Sequence, residues 1–198
     1  MFSYYLSLFT WKILFAISGN HEAWTKALAG IDVMQHLMEQ RAIVYCKDGL
    51  KITLRVGTQQ YRIYLRHKTP YNSTMNPTHT IKRLYDYGDW QFDVGVRGDQ
   101  HQAHLENFER HGQRRWGVRI GSYQVFSDYA ESIGFPKSAP LCPVVIFYPD
   151  RRRMDAFDNL WDGAEALTAI REKYERDRAK LTKAQRPKQL TAGKNRKR

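Results

Sequence analysis

The chain has 198 residues, with 32 lysines and arginines against 20 acids, giving a formal net charge of +12 and an isoelectric point near 9.8. Its length suits one well-buried domain, and its 13% aromatic content excludes a disordered chain. No sequence period marks a solenoid or heptad array, and Cys46 and Cys142, with no CxxC spacing, exclude a disulfide framework or a zinc pattern and read as small buried thiols.

Residues 1–18 are apolar and aromatic, but Lys12 divides them. Each charge-free half is too short to cross a hydrocarbon core of about 30 Å, and a signal peptide would carry its charge before the apolar run. One or two buried strands ending at Gly19-Asn20 are expected, and with them a cytoplasmic protein. Asn20 is placed to cap a helix over residues 21–40, with Trp24, Leu28, Ile31, Met34 or Gln35, and Met38 on one stripe. The β-branched and aromatic residues 42–46 then predict a strand, and Asp48-Gly49 a tight turn. Leu50, Ile52, Leu54 and Val56 alternate with polar residues, as do Tyr61, Ile63 and Leu65. The reading is a three-stranded antiparallel meander with one apolar face. Its other face carries Lys51, Arg55, Arg62, Tyr64 and Arg66, cations and an aromatic suited to phosphate contact and base stacking.

Residues 67–80, with two prolines and no periodicity, read as a surface loop, and residues 90–96 as a strand. A polar helix is expected over residues 99–111, ended by Gly112, followed by a strand over residues 114–120. On that helix His101, His104 and His111 share a face, a weak divalent-metal pattern without a fixed carboxylate partner. Pro136 and Pro140 mark a loop, and residues 143–148 a buried strand. A long helix over residues 155–185 places Leu160, Ala164, Leu167, Ile170, Tyr174 and Leu181 on an inner side, and Pro187 stops it.

Between that last strand and helix the sequence runs Tyr148-Pro149-Asp150-Arg151-Arg152-Arg153-Met154-Asp155-Ala156-Phe157-Asp158-Asn159-Leu160. Asp150, Asp155 and Asp158 are candidate catalytic residues, since clustered carboxylates can hold the Mg²⁺ that activates water, with Asp155 and Asp158 as the metal ligands. Arg151, Arg152 and Arg153 would hold the phosphodiester. The plainer alternative makes Asp155 a helix N-cap, with Asp158 and Asp162 favoured by the helix dipole. The segment, continued to Ala164, Ala166 and Leu167, resembles the strand-turn-helix of RusA-type Holliday junction resolvases. That family combines an arginine-rich turn, Asp-x-Asp-Asn and a nearby lysine. The resemblance covers residues 148–167 and implies a dimeric Mg²⁺-dependent nuclease of branched DNA. Here two residues, not one, separate Asp155 from Asp158, and Asp162 stands near the expected lysine position.

Residues 178–198 hold nine lysines and arginines and no acid, leaving residues 1–177 with 23 basic residues against 20 acidic ones. The basic run begins at Lys173, Arg176, Lys180 and Lys183 on one helix face and continues through Arg186, Lys188, Lys194, Arg196, Lys197 and Arg198. Cations so placed displace counterions from nucleic-acid phosphates, and need not read sequence. The expectation is an α+β domain over residues 1–177, an antiparallel sheet packed by an N-terminal helix and a long C-terminal helix, with a basic tail over 178–198. Its expected function is nucleic-acid binding, DNA or RNA, through the backbone with low sequence specificity. The alternatives are the Mg²⁺-dependent nuclease and a membrane-peripheral or interaction protein using the aromatic N-terminus and the cationic tail.

Overall fold

The structure is a computed structural model that describes residues 2–73, 75–122, 131–132 and 142–184. It divides into two compact units, Met1–Gly163 and Ala164–Arg198. The expected loop at Pro136 and Pro140 lies outside the described residues, as does the stretch from Arg186 to the last residue. The α+β class holds, with one five-stranded sheet, two smaller two-stranded sheets and a long final helix.

The first residues are not the expected strands. Helix α1 spans Phe2–Phe9, a single 3-10 turn follows at Thr10–Lys12, and only Phe15–Ile17 is extended, as β1. Residues 2–9 contain no β-branched side chain, whereas Ile13 and Ile17 flank or enter the strand, so the local preference changes where the structure does. The single helix expected over residues 21–40 is two, α2 at Asn20–Ala29 and α3 at Val33–Glu39. Gly30, at φ 71°, ends α2, and the Asp32 side chain restarts the chain as α3 by accepting from the Gln35 N–H at 2.9 Å. Asn20 is the first residue of α2 rather than its cap; its side chain meets His67 Nε2 at 2.9 Å. The break also dissolves the expected stripe, for Met38 is buried while Trp24, Leu28 and Ile31 stand exposed. Met38 packs with Leu6 and Ile43 beneath β1 and the parallel strand β2, Val44–Cys46.

Because β2 pairs with β1, the expected meander is a hairpin of two strands, β3 at Gly49–Val56 and β4 at Gln59–Arg66. Helix α4, His79–Tyr87, lies just past the proline-containing loop, where no helix was expected. It returns the chain so that β5, Val94–Arg97, runs parallel to β4. The expected polar helix over residues 99–111 is instead β6, His104–Arg110, which makes a hairpin with β7, Gln113–Arg119. His111 and Gly112, at φ 55° and 68°, form its two-residue turn, so Gly112 serves a hairpin and not a helix end. The sheet order is β3-β4-β5-β7-β6, with antiparallel outer ladders and two parallel ladders, β4–β5 and β5–β7, in the middle.

The alternation read for β3 and β4 extends across this sheet. On one face Ile52, Leu54, Ile63, Leu65, Val94, Val96, Trp116, Val118 and Leu105 form an apolar layer. It is covered by a second hairpin, β8 at Val144–Phe147 and β9 at Met154–Phe157, through Val145, Phe147, Met154 and Ala156. The other face carries the charged positions, and α4 covers its middle with Ile81, Leu84 and Tyr85 against Tyr64, Phe92 and Phe108. Gly95 admits that helix: a Cβ there would lie 2.4 Å from Ile81 Cγ2 and 2.6 Å from Phe92. Residues 90–93 belong to the approach from α4, so Phe92 packs under the helix while Val94 faces the apolar layer.

Asp155 therefore lies on a strand, not at a helix start. The final helix, α5, spans Leu160–Ala184 and is begun by Asn159, whose Oδ1 accepts from the Asp162 N–H at 2.9 Å.

Candidate phosphate-contacting cleft

The arginine turn joins β8 to β9, and three contacts hold it. Tyr61, on β4 and fully buried, brings its hydroxyl to 2.8, 2.9 and 3.0 Å from the carbonyl oxygens of Tyr148, Arg151 and Arg153. The β3–β4 turn supplies the second: Thr58 donates both its N–H and its hydroxyl to the Pro149 carbonyl, each at 3.0 Å. Gly57 makes that approach possible, since at φ 58° a Cβ would fall 2.6 Å from Pro149. The third is Asp93, 1% exposed, which accepts from the Arg62 N–H at 2.8 Å, from Arg152 Nη2 at 2.6 Å and from Arg115 Nη1. A carboxylate in such a place must be paired, and here two guanidinia share it.

Opposite the arginine turn stands the β6–β7 turn, and a cleft of about 510 Å³ opens between them. Arg114 and Arg115 line one side, Arg152, Arg153 and Asp155 the other, and Asp93 the floor. Four guanidinia thus face two carboxylates. Among the described residues the exposed Arg114 side chain has no hydrogen-bond or ion-pair partner. In the arginine turn the Arg151 and Arg153 guanidinia lie 4.8 and 4.9 Å from the centre of the Tyr148 ring. Such stacking leaves the edge of the Arg151 guanidinium open to an oxyanion, whereas Arg153 turns its Nε and Nη2 toward Asp155.

Asp155 is committed within the protein. Its carboxylate accepts from Arg153 Nε at 3.0 Å, from Arg153 Nη2 at 2.8 Å and from the Tyr148 hydroxyl at 2.7 Å. Burial works to raise its pKa, yet the Arg153 and Tyr148 hydrogen bonds outweigh it and hold the carboxyl below its usual value. The Tyr148 hydroxyl is pushed up, first by burial and then by its bond to Asp155. Asp150 and Asp158 are exposed, and Asp158 accepts from Asn159 Nδ2 at 3.2 Å. Among the described residues no group of three or more His, Cys, Asp or Glu side chains is placed to hold a metal ion. The histidine pattern disperses as well, with His101 in a loop, His104 on β6 and His111 in the hairpin turn.

The structure thus gathers Arg152 and Arg153 with Arg114 and Arg115, two arginines that spacing along the chain did not connect to them, while Arg151 stacks on Tyr148 beside the cleft lining. Asp93 was also missed, although a lone carboxylate between Phe92 and Val94 signals a buried charge in need of a cation. On the strand face Lys51 pairs with Asp89 at 2.6 Å, and Arg66 donates to the Tyr64 hydroxyl at 3.2 Å, while Arg55 and Arg62 are exposed. In the second unit Lys173, Arg176 and Lys180 are exposed on α5, with Lys180 3.9 Å from Asp177. Lys183 falls in the same helix, but its side chain, like Arg186, Lys188, Lys194, Arg196, Lys197 and Arg198, lies outside the described residues.

No family model matches the chain, and no curated protein matches it. Among the described residues no helix is long and apolar enough to cross a membrane.

Proposed function

We propose that this protein binds nucleic acid through the phosphate backbone, with little base specificity. The observation that carries the reading is the cleft, where four guanidinia face two carboxylates and the Arg114 side chain has no partner among the described residues. Phosphate oxygens supply the acceptors that such a surface lacks, and the exposed cations of α5 and the basic run beyond it add contacts of the same kind. Fluorescence anisotropy with single- and double-stranded DNA and RNA across a salt series tests it. Binding should weaken steeply with salt on all sequences alike, and Arg114→Ala should lower the log–log slope by about one. Binding that is insensitive to salt, or unchanged in a double Arg114→Ala, Arg151→Ala variant, would overturn the reading.

The nuclease alternative gains no ligand set from the described residues. A second reading is favoured by a separate observation: Trp11, Trp24 and Leu28 are 76%, 57% and 91% exposed, near Lys12 and Lys26 in the sequence. Aromatic and apolar side chains with basic neighbours suit an anionic lipid surface. Flotation with phosphatidylserine vesicles, for the full chain and for Trp11→Ala, Trp24→Ala, decides it; equal recovery of both proteins removes this reading.

A further inference from the structure

A second concentration of cationic charge lies on the α4 face of the sheet, away from the cleft. Arg66 ends β4, Arg97 ends β5 and Arg119 ends β7, and the register sets the three side by side. In-register residues of neighbouring strands project to the same face, about 4.8 Å apart. Arg97 and Arg119 are 1% and 0% exposed. Their acceptors are almost all neutral. Arg97 donates to Thr80 Oγ1 at 3.2 Å and to Asn72 Oδ1, and Arg119 to Gln102 Oε1 at 2.8 Å and the Ser73 carbonyl at 3.4 Å. Among the described residues the one carboxylate within 4.0 Å is Asp99, which reaches Arg97 only at that limit and is shared with His67 and Lys68. The Nε atoms of Arg66, Arg97 and Arg119 are all buried without a hydrogen-bond partner, as is the Thr69 hydroxyl on the loop that follows β4.

A buried ammonium can shed its proton; a guanidinium cannot. Burial lowers the pKa of Arg97 and of Arg119, and the charge of Arg97 lowers that of Arg119 further, but both stay cationic. Charges so placed are costly unless an anion meets them. Three guanidinia, with Asp99 shared by Lys68 as their one nearby carboxylate among the described residues, leave at least two positive charges, which a phosphate group at neutral pH, at about −1.5 to −2, would offset. The guanidinium fork also fits two phosphate oxygens at once. The position is the one where ligands gather in open sheets with parallel strands, beyond their carboxyl ends, and the first turn of α4 reaches it through Thr80. Three of the described non-glycine residues with positive φ, Tyr71, Asp99 and His101 at 65°, 77° and 58°, lie in the two loops that follow β4 and β5.

We propose that Arg66, Arg97 and Arg119 form a binding site for one phosphate group, either free phosphate or a terminal phosphomonoester, at the carboxyl ends of β4, β5 and β7. The site stands on its own residues and does not depend on the polyanion reading of the cleft. The experiment is thermal unfolding of the full chain in sodium phosphate and in sodium chloride of equal ionic strength, with ³¹P line broadening of inorganic phosphate as a direct readout. Phosphate should raise Tm saturably above the chloride value and broaden the ³¹P line. Arg119→Lys, which keeps the charge and loses the fork, should weaken phosphate binding about tenfold, and Arg119→Met should abolish it. Arg114→Ala should leave the response intact. Equal Tm in the two salts without line broadening overturns the site, as does a response lost in Arg114→Ala but kept in Arg119→Met. If Arg119→Met does not fold, the wild-type and Arg119→Lys titrations decide. A 5′-phosphorylated oligonucleotide that binds more tightly than its 5′-hydroxyl form, with the difference lost in Arg119→Lys, assigns the phosphate to a nucleic-acid end. Equal binding of the two, with the inorganic phosphate response intact, assigns it to free phosphate. A phosphate response without any salt-dependent polyanion binding would leave this site standing and the cleft reading fallen.

Discussion

Asp93 decides how the arginine turn is used. Its carboxylate, itself buried, receives Arg115 and Arg152 at the base of the cleft, so removing its charge would leave two guanidinia facing each other. Asp93→Asn should therefore destabilise the fold by about 3–5 kcal/mol, the usual cost of stripping one partner from a buried pair, read as a lower urea midpoint with an unchanged slope. Asp155 makes a different prediction, about pH. Its folded pKa is depressed because the Arg153 and Tyr148 hydrogen bonds outweigh burial, so it contributes stability that is complete above the unfolded carboxyl's pKa and is lost as pH falls through the folded value. Asp155→Asn should flatten the acid limb of the stability curve below about pH 4 while changing its slope near neutrality little. A limb as steep in the variant as in the wild type would assign acid sensitivity elsewhere.

At the scale of elements, the connection from β4 to β5 shapes both faces of the sheet. Helix α4 lies flat on Gly95, and Gly95→Ala would press a methyl group into Ile81 and Phe92. Overpacking of this kind costs about 1–3 kcal/mol, so Gly95→Ala should lower the melting temperature without changing the far-ultraviolet circular dichroism at low temperature. The same elements show which signals are local. The β3–β4 hairpin is legible because its two strands alternate with period two over eight residues each. Helix α4, nine residues after a loop with prolines, carries only Ile81, Leu84 and Tyr85 as its apolar side, too short a pattern to stand out. The segment that holds β6 reads as a helix because His101, His104 and His111, at offsets of three and seven, fit one helix face and Gly112 fits a helix end; the turn at His111-Gly112 and the pairing with β7 override that. Strand β9 reads as the start of α5 because four residues, with Asp155 among them, resemble an acidic first turn until β8 pairs with them.

For the molecule as a whole, charge is the property that most directly predicts behaviour. Residues 178–198 supply nine of the net twelve positive charges. A chain lacking them should retain weak binding through the cleft and lose most of its affinity for polyanions at moderate salt. Its log–log salt slope should be smaller by about 0.9 for each phosphate that the tail would have neutralised. Equal affinity of the two proteins in an electrophoretic shift would contradict that division of labour.

Part of this protein follows from sequence alone. The α+β class, the alternation that divides the main sheet into apolar and charged faces, and the uneven charge along the chain are local properties, set by side-chain type and spacing within a few residues. Which charges meet is not local. Asp93, Arg115 and Arg152 are far apart along the chain, and Arg66, Arg97 and Arg119 end three different strands. The parallel β4–β5 ladder that α4 makes possible and the parallel β5–β7 ladder beside it bring the second set together, and the β8–β9 hairpin, anchored on Tyr61 and the turn at Gly57, folds the arginine turn toward Asp93. Only the tertiary structure decides these partners, because strand pairing sets distances that sequence separation does not.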